Sequence, residues 1–283
     1  MKNNTQYSGT IAIIGKSNAG KSSILNKLIG EKISIISPKL HTTQENMIGI
    51  KTDNNYQAIY IDTPGLYQIK KDTKSIIEKK IDRTIYSSNI IIFVTENIKW
   101  NNNDELIAKK IKKNNIPTII VINKIDLIKN KNQLLPHINF LKSKILSNEI
   151  IFVSAKTGEN IEILSNIVKN HLPISVHQFP KKQITNCSKY FIISEIIREK
   201  IIYCFNQELP YSIKVKIESY YYTKKNIKIH AIILVKNVNH KKIIIGNKGK
   251  KIKLFNILAR KEISNKLQKK ICLFLWVKID LHD

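Results

Sequence analysis

The stretch IAIIGKSNAGKSSILNKLI, from Ile11 to Ile29, joins four apolar residues to a glycine-bracketed loop and then to an amphipathic run. Gly15, Gly20, Lys21 and Ser22 fit the pattern G-x-x-x-x-G-K-[ST], placed after a strand-like segment and before a helix-like one, the context this motif requires. The chemistry follows from the backbone. Glycines let successive N–H groups curl around an anion, and a helix N-terminus adds positive potential. Lys21 can reach a β- or γ-phosphate, and the Ser22 hydroxyl can ligate Mg²⁺. The chain has only 9 glycines in 283 residues, so an ordinary glycine-rich turn is a poor competing explanation.

Working outward, short apolar runs alternate with amphipathic ones over the first 170 residues. Strands are expected at Ile11–Gly15, Tyr56–Asp62, Ile90–Val94, Thr118–Asn123 and Ile150–Ala155. They are β-branched and lack internal charge, as strands buried on both faces are. Helices are expected near Lys21–Ile29, Lys74–Ser87, Asp104–Asn114 and Asn160–Asn170. This alternation predicts an α/β domain, a mostly parallel sheet with helices on both faces, over residues 1–172. Residues 173–182 carry Pro173 and Pro180 and read as a linker. Residues 183–283 read as a smaller α+β domain, with a helix over Cys187–Phe205, strands within 211–222 and 226–236, a helix over Lys248–Gln268 and a last strand over 271–280. Trp276 and Cys272 are expected in the core of that strand, and Trp100 partly exposed.

Three further motifs end strands, where α/β ligands bind. In DTPG (Asp62–Gly65), Asp62 can hold Mg²⁺ through water and Gly65 permits a close backbone approach to a γ-phosphate. In NKID (Asn123–Asp126), a buried Asp126 carboxylate can accept from the N1–H and exocyclic amine of guanine, a donor pair that adenine lacks. Lys124 can lay its stem over the base. In Ser154-Ala155-Lys156, a backbone N–H can meet the guanine O6. Near the C-terminus, GNKG (Gly246–Gly249) lies between helical stretches, and Lys248, Lys250, Lys251 and Lys253 surround it.

Four motifs in this order resemble the P-loop GTPases. The resemblance implies nucleotide contacts from Gly15, Asn18, Ala19, Gly20, Lys21, Ser22 and Ser23, joined by Asp62, Gly65, Asn123, Lys124, Asp126, Ser154, Ala155 and Lys156. It implies Mg²⁺ held by Ser22, Asp62 and Thr43, with Thr43 preferred to Thr42. Many such enzymes orient water with a glutamine after the DTPG glycine, but this chain has Leu66 there. No arginine precedes residue 190 except Arg83, so no in-cis arginine finger is expected and no catalytic residue is assigned. Lys21, Thr43 and Gly65 are expected to serve as phosphate and switch contacts. Asn18 is similar to the asparagine of potassium-stimulated GTPases, which implies K⁺ as a further cofactor.

The GNKG segment resembles a KH module, type II-like in element order, whose loop clamps about four nucleotides of a single strand. Gly246, Asn247, Lys248, Gly249, Lys250, Lys251 and Lys253 are the expected RNA contacts. Both halves together resemble the Era family of GTPases, which FIISEIIREKI, ELPYS and ILARKEI also match. Two departures stand out: Lys16 and Ser17 replace the usual arginine and proline, and TTQEN lacks the usual basic residue after the threonines. The resemblance implies a GTP-hydrolysing switch, with GTP and GDP as ligands, that binds 16S ribosomal RNA and acts in small-subunit assembly. It also implies a monomer in the cytoplasm, with peripheral contact at the inner face of the membrane. The alternative is a passive RNA-binding protein with a non-hydrolysing nucleotide pocket.

Composition bears on the partner. Net charge is +27, but only 3 of 48 basic residues are arginine, a bias that A/T-rich coding also produces. Residues 1–179 carry 25 basic and 14 acidic groups (net +11), and residues 180–283 carry 23 and 7 (net +16). The concentration in the shorter tail favours a polyanion there. Cys187, Cys204 and Cys272 match no metal-ligand spacing, MKNNTQYSGT has no apolar leader pattern, and no apolar run is membrane-length. A second P-loop is absent, which excludes a tandem GTPase.

Overall fold

The computed structural model describes residues 5–35, 47–65, 71–128, 134–145, 149–205, 213–223 and 225–280, with 130, 132 and 147. These divide into two compact units, one holding the described residues up to Ser34 and from Met47 to Asn186, the other those from Cys187 onward together with Ile35. Thr42, Thr43, Leu66 and the ELPYS segment lie outside the described residues.

The first unit runs β1 (Tyr7–Gly15), α1 (Lys21–Ile29), β2 (Met47–Asp53), β3 (Tyr56–Asp62), α2 (Lys71–Tyr86), β4 (Ile90–Glu96), α3 (Asn102–Lys112), β5 (Thr118–Asn123), α4 (Leu134–Lys144), β6 (Glu149–Phe152) and α5 (Ile161–His171). Its six strands follow the order β2-β3-β1-β4-β5-β6. Every pairing is parallel except that of β2 with β3. Side chains alternate across the sheet. Ala12 and Ile14 of β1 meet Ile81 and Ile85 of α2 and Ile107 and Ile111 of α3. Ile11 and Ile13 face the other way and are fully buried, as are Ile24, Leu25 and Leu28 of α1 and Val168 of α5. Both faces are thus covered, which is what an uncharged parallel strand requires.

Two elements escaped the sequence pattern. Strand β2 (MIGIKTD) mixes apolar and polar residues because it is the antiparallel edge. Helix α4 carries Pro136 in its first turn, where the missing N–H costs no helical bond. Strand β6 ends at Phe152, short of the expected Ala155, because Ser154 and Ala155 turn toward the end of β5. Residues 173–182 form no helix: they run irregularly past Pro173, bend at Gln178 and Phe179, turn after Pro180, and lie against the first unit. Gln57 Nε2 donates to the Phe179 carbonyl at 2.8 Å, and its Oε1 accepts from Gln178 N. Ile50 N donates to the Ile184 carbonyl, so β2 is paired along its outer edge as well.

The second unit runs α6 (Lys189–Cys204), β7 (Lys214–Tyr222), β8 (Ile227–Val235), α7 (Val238–Ile245), a 3₁₀ turn (Asn247–Gly249), α8 (Lys250–Leu267) and β9 (Ile271–Ile279). Its sheet has the order β7-β8-β9, antiparallel then parallel. Ile229, Ala231 and Ile233 of β8 face Ile197 and Ile201 of α6, Ile244 of α7 and Phe255 and Ile263 of α8. Ile271, Leu273 and Val277 of β9 point to this core. Trp276 therefore points to the opposite face and is 43 % exposed, against the expectation from sequence. Cys272 shares that face and is half-buried, with Asn226 Nδ2 donating to its Sγ at 3.1 Å. A run as apolar as Ile271–Val277 hides its alternation, so its two faces cannot be told apart by composition.

Candidate functional site

Four loops of the first unit converge at the C-terminal ends of the strands. The loop after β1 is packed too tightly for side chains at its glycines. A Cβ on Gly15 would fall 2.4 Å from the Val94 carbonyl oxygen, and one on Gly20, at φ +97°, would fall 2.1 Å from Asn123 Nδ2. Asn18 also takes a left-handed backbone, φ 64°. Lys21 is buried, and its Nζ donates to the carbonyls of Gly15 (3.1 Å) and Lys16 (2.9 Å). Burial pushes its pKa down to about 8, partly offset by the attraction of Asp62.

Asp62 is fully buried at the end of β3. Its Oδ2 accepts from Ser22 Oγ at 2.6 Å and from Ser34 Oγ at 3.0 Å, while its buried Oδ1 has no partner. Burial raises its pKa, against the lowering effects of Lys21, Ser22 and Ser34. An orphaned carboxylate oxygen beside a hydroxyl is an all-oxygen donor pair, the chemistry a hard cation takes. Gly65 lies against the phosphate loop: a Cβ there would come within 2.6 Å of the Ser17 nitrogen.

Asn123 ties the remaining loops together. Its Nδ2 donates to the Ala19 carbonyl at 2.8 Å, and its Oδ1 accepts from Ala155 N at 3.0 Å. Ser154 Oγ donates to Asp126 Oδ1 at 2.7 Å. Asp126 itself is exposed, not buried as expected, because it sits on a 3₁₀ turn (Ile125–Leu127) projecting beyond β5. Lys124, at φ 65°, pairs its Nζ with Glu96 Oε1 at 2.8 Å. Ala19 and Ser154 are buried in the same convergence, and Lys156 is exposed at its rim.

Sequence reasoning missed four contributors. Ser34 braces Asp62, and Asn26 positions that serine by accepting from Ile33 N and Ser34 N and donating to the Ser34 carbonyl. Glu96 steers Lys124. Asp104, buried in the capping box of α3, accepts from Lys16 Nζ at 3.2 Å. None falls within a motif; the unusual Lys16 was the one available signal.

In the second unit, Gly246 (φ 70°), Lys248 (φ 48°) and Gly249 (φ 71°) hold left-handed backbone between α7 and α8. Helix α8 accordingly starts at Lys250, two residues later than the pattern predicts. Asn247, Lys248, Lys250, Lys251 and Lys253 are all exposed around this turn. Lys251 Nζ also lies 4.7 Å from the Phe205 ring centroid.

Residues 10–124 match the family described as 50S ribosome-binding GTPase, and residues 208–281 match the KH domain. A GTPase Era from Buchnera aphidicola subsp. Acyrthosiphon pisum (strain APS) is 48% identical over 280 residues, covering 98% of this chain and 99% of the relative. The chain belongs to the Era family of GTPases. A second Era, from Cronobacter sakazakii (strain ATCC BAA-894), is 42% identical over 281 residues, covering 99% of this chain and 93% of its own. Two Era crystal structures superpose with TM-scores of 0.91 at 36% identity, each covering 97% of this chain and 94% of the other. One is a complex with MgGDPNP and nucleotides 1506–1542 of 16S ribosomal RNA, and the other is an Aquifex aeolicus variant bound to GDP and AlF₄⁻. As an Era GTPase, the chain is a GTP-hydrolysing enzyme whose α/β domain is joined to a KH domain.

Proposed function

We propose that this Era GTPase couples the GTP cycle of its first unit to the hold of its second unit on 16S ribosomal RNA during small-subunit assembly. The observation that carries the reading is Asn123, whose amide joins the phosphate loop to the Ser154–Lys156 loop beside Asp126. The triphosphate and guanine contacts would therefore share one braced unit. The backbone N–H groups of 15–22 and Lys21 would hold the phosphates, while Asp126 would select guanine. The contacts assigned from sequence to Ser23, Gly65, Lys124, Ala155 and Lys156 belong to the same reading, as does Thr43 beyond the described residues.

Ser22 and Asp62 would hold Mg²⁺, with phosphate oxygens and water completing its shell. When bound, Mg²⁺ neutralises charge on the β- and γ-phosphates. We assign no general base. Asn18 would ligate K⁺, and hydrolysis is expected to be several-fold faster in K⁺ than in Na⁺ buffer; equal rates remove that assignment. The RNA would run over the turn at Gly246–Gly249, against Asn247 and Lys248, Lys250, Lys251 and Lys253. The reading also includes a monomeric, cytoplasmic protein with peripheral membrane contact, supported by lysine-rich charge that attracts anionic surfaces. No described helix is long and apolar enough to cross a membrane.

Calorimetry of the full chain with GDP and with a non-hydrolysable GTP analogue in Mg²⁺ tests the core of the proposal. Both should bind with adenine counterparts excluded. Absence of heat from either guanine nucleotide would refute it.

A further inference from the structure

The sheet of the second unit has a face that its helices do not cover. Strand register places Tyr221, Lys228 and Cys272 in one row, Ser219, His230 and Phe274 in the next, and Lys216, Ile232 and Trp276 in a third. His230 stacks with Phe274 (centroids 4.8 Å apart, 29° between planes), with Trp276 (5.2 Å, 18°) and with Tyr221 (5.7 Å, 26°). The Tyr221 hydroxyl lies 3.0 Å from His230 Nε2 and fixes the cluster's edge. Tyr221, Phe274 and Trp276 nonetheless remain 42–43 % exposed. The Gly246–Gly249 turn joins two helices that pack on the other side of the sheet, so it belongs to a different surface.

The charges on this aromatic face are unbalanced. Glu218 is met by Lys278 at 3.9 Å and Asp280 by Lys214 at 3.6 Å. Lys216 and Lys228 form no ion pair among the described residues. Pre-ordered rings with exposed π-faces among surplus lysines complement planar bases on a phosphate chain. Because the rings are already stacked on one another, little side-chain freedom remains to be lost on binding.

We propose that this face is a second nucleic-acid surface, at which single-stranded RNA stacks bases on the Tyr221–His230–Phe274–Trp276 cluster while Lys216 and Lys228 hold its phosphates. It extends the bound strand beyond the glycine clamp and tolerates sequence, since every base has a π-face.

Trp100 and Trp276 are the only two tryptophans, so Trp100→Phe leaves Trp276 as the sole indole reporter in the full chain. Titration with a short oligouridylate should quench its emission. Quenching should persist when Gly246→Asp and Gly249→Asp are added. Lys216→Glu with Lys228→Glu, both at solvent-facing positions, should weaken the quenching isotherm about tenfold and flatten its salt dependence by about 0.7 per lysine. Should Trp100→Phe fail to fold, ultraviolet crosslinking of the wild-type chain to the same RNA should give adducts in the 271–279 peptide. The proposal is overturned if RNA bound by the clamp leaves Trp276 unquenched, or if the clamp variants abolish the quenching. It is equally overturned if RNA-free self-association shields Trp276 and is lost in Trp276→Ala, which would give the face to a second copy.

Discussion

Lys21 is the phosphate-holding cation of the proposed reading, and its loop sets its charge. Two carbonyls hold the amine, and burial lowers its pKa to about 8 from the ordinary 10.5. Between those values the free protein has released a proton that a bound triphosphate restores. Nucleotide affinity should therefore fall as pH rises through about 8, approaching tenfold per pH unit, with proton uptake on binding at pH 8.5–9. Calorimetry in buffers of different ionisation enthalpy measures that uptake; none at pH 9 would contradict the role. Asp104 makes a second residue-scale case. Lys16 reaches its Oδ2 and leaves the buried Oδ1 without a partner. Asp104→Ala strands the lysine and should cost about 3 kcal/mol or more. Lys16→Arg offers a fork to both oxygens and should raise the melting temperature of the first unit. Thermal melts of both variants decide the sign.

At the scale of elements, the strand ends act through what joins them. Asn123→Ala would leave the Ala19 carbonyl and the Ala155 amide without partners, at about 1–3 kcal/mol for each buried group. Guanine-nucleotide affinity should fall with the melting temperature, because both loops loosen at once. The turn between α7 and α8 makes a matching prediction. A Cβ at Gly246 would lie 2.7 Å from Lys251 Cγ, and Gly249 holds φ +71°, where a Cβ would make only an ordinary contact, 3.8 Å from Ile252 Cγ2. Gly246→Asp with Gly249→Asp should thus strain the turn and place two negative charges where the proposed reading puts RNA phosphates. Filter binding should show loss of clamp-dependent RNA affinity while basal GTP hydrolysis stays unchanged. Motif-bearing loops were legible because each demands particular residues at fixed spacing. Edge strand β2 and the outer face of β9 were not, since apolar alternation is the signal and neither displays it cleanly.

For the whole molecule, the two units should fail separately. Asp126→Asn should weaken GTP binding by about tenfold or more and leave the RNA affinity of the nucleotide-free chain intact; joint loss would contradict the division of labour. RNA affinity should decline steeply with salt as lysine contacts release counterions, and a flat response would argue against a backbone clamp. By itself the sequence determined the mostly parallel α/β unit, the glycine-bracketed loop between β1 and α1 and the glycine turn between α7 and α8, because these rest on local backbone geometry and short-range spacing. Tertiary structure alone decided that Asn123 braces two loops, that Lys16 meets Asp104, and that Trp276 faces solvent in an aromatic stack. Those facts depend on residues far apart in the chain meeting across strands, and no local pattern of composition records such a meeting.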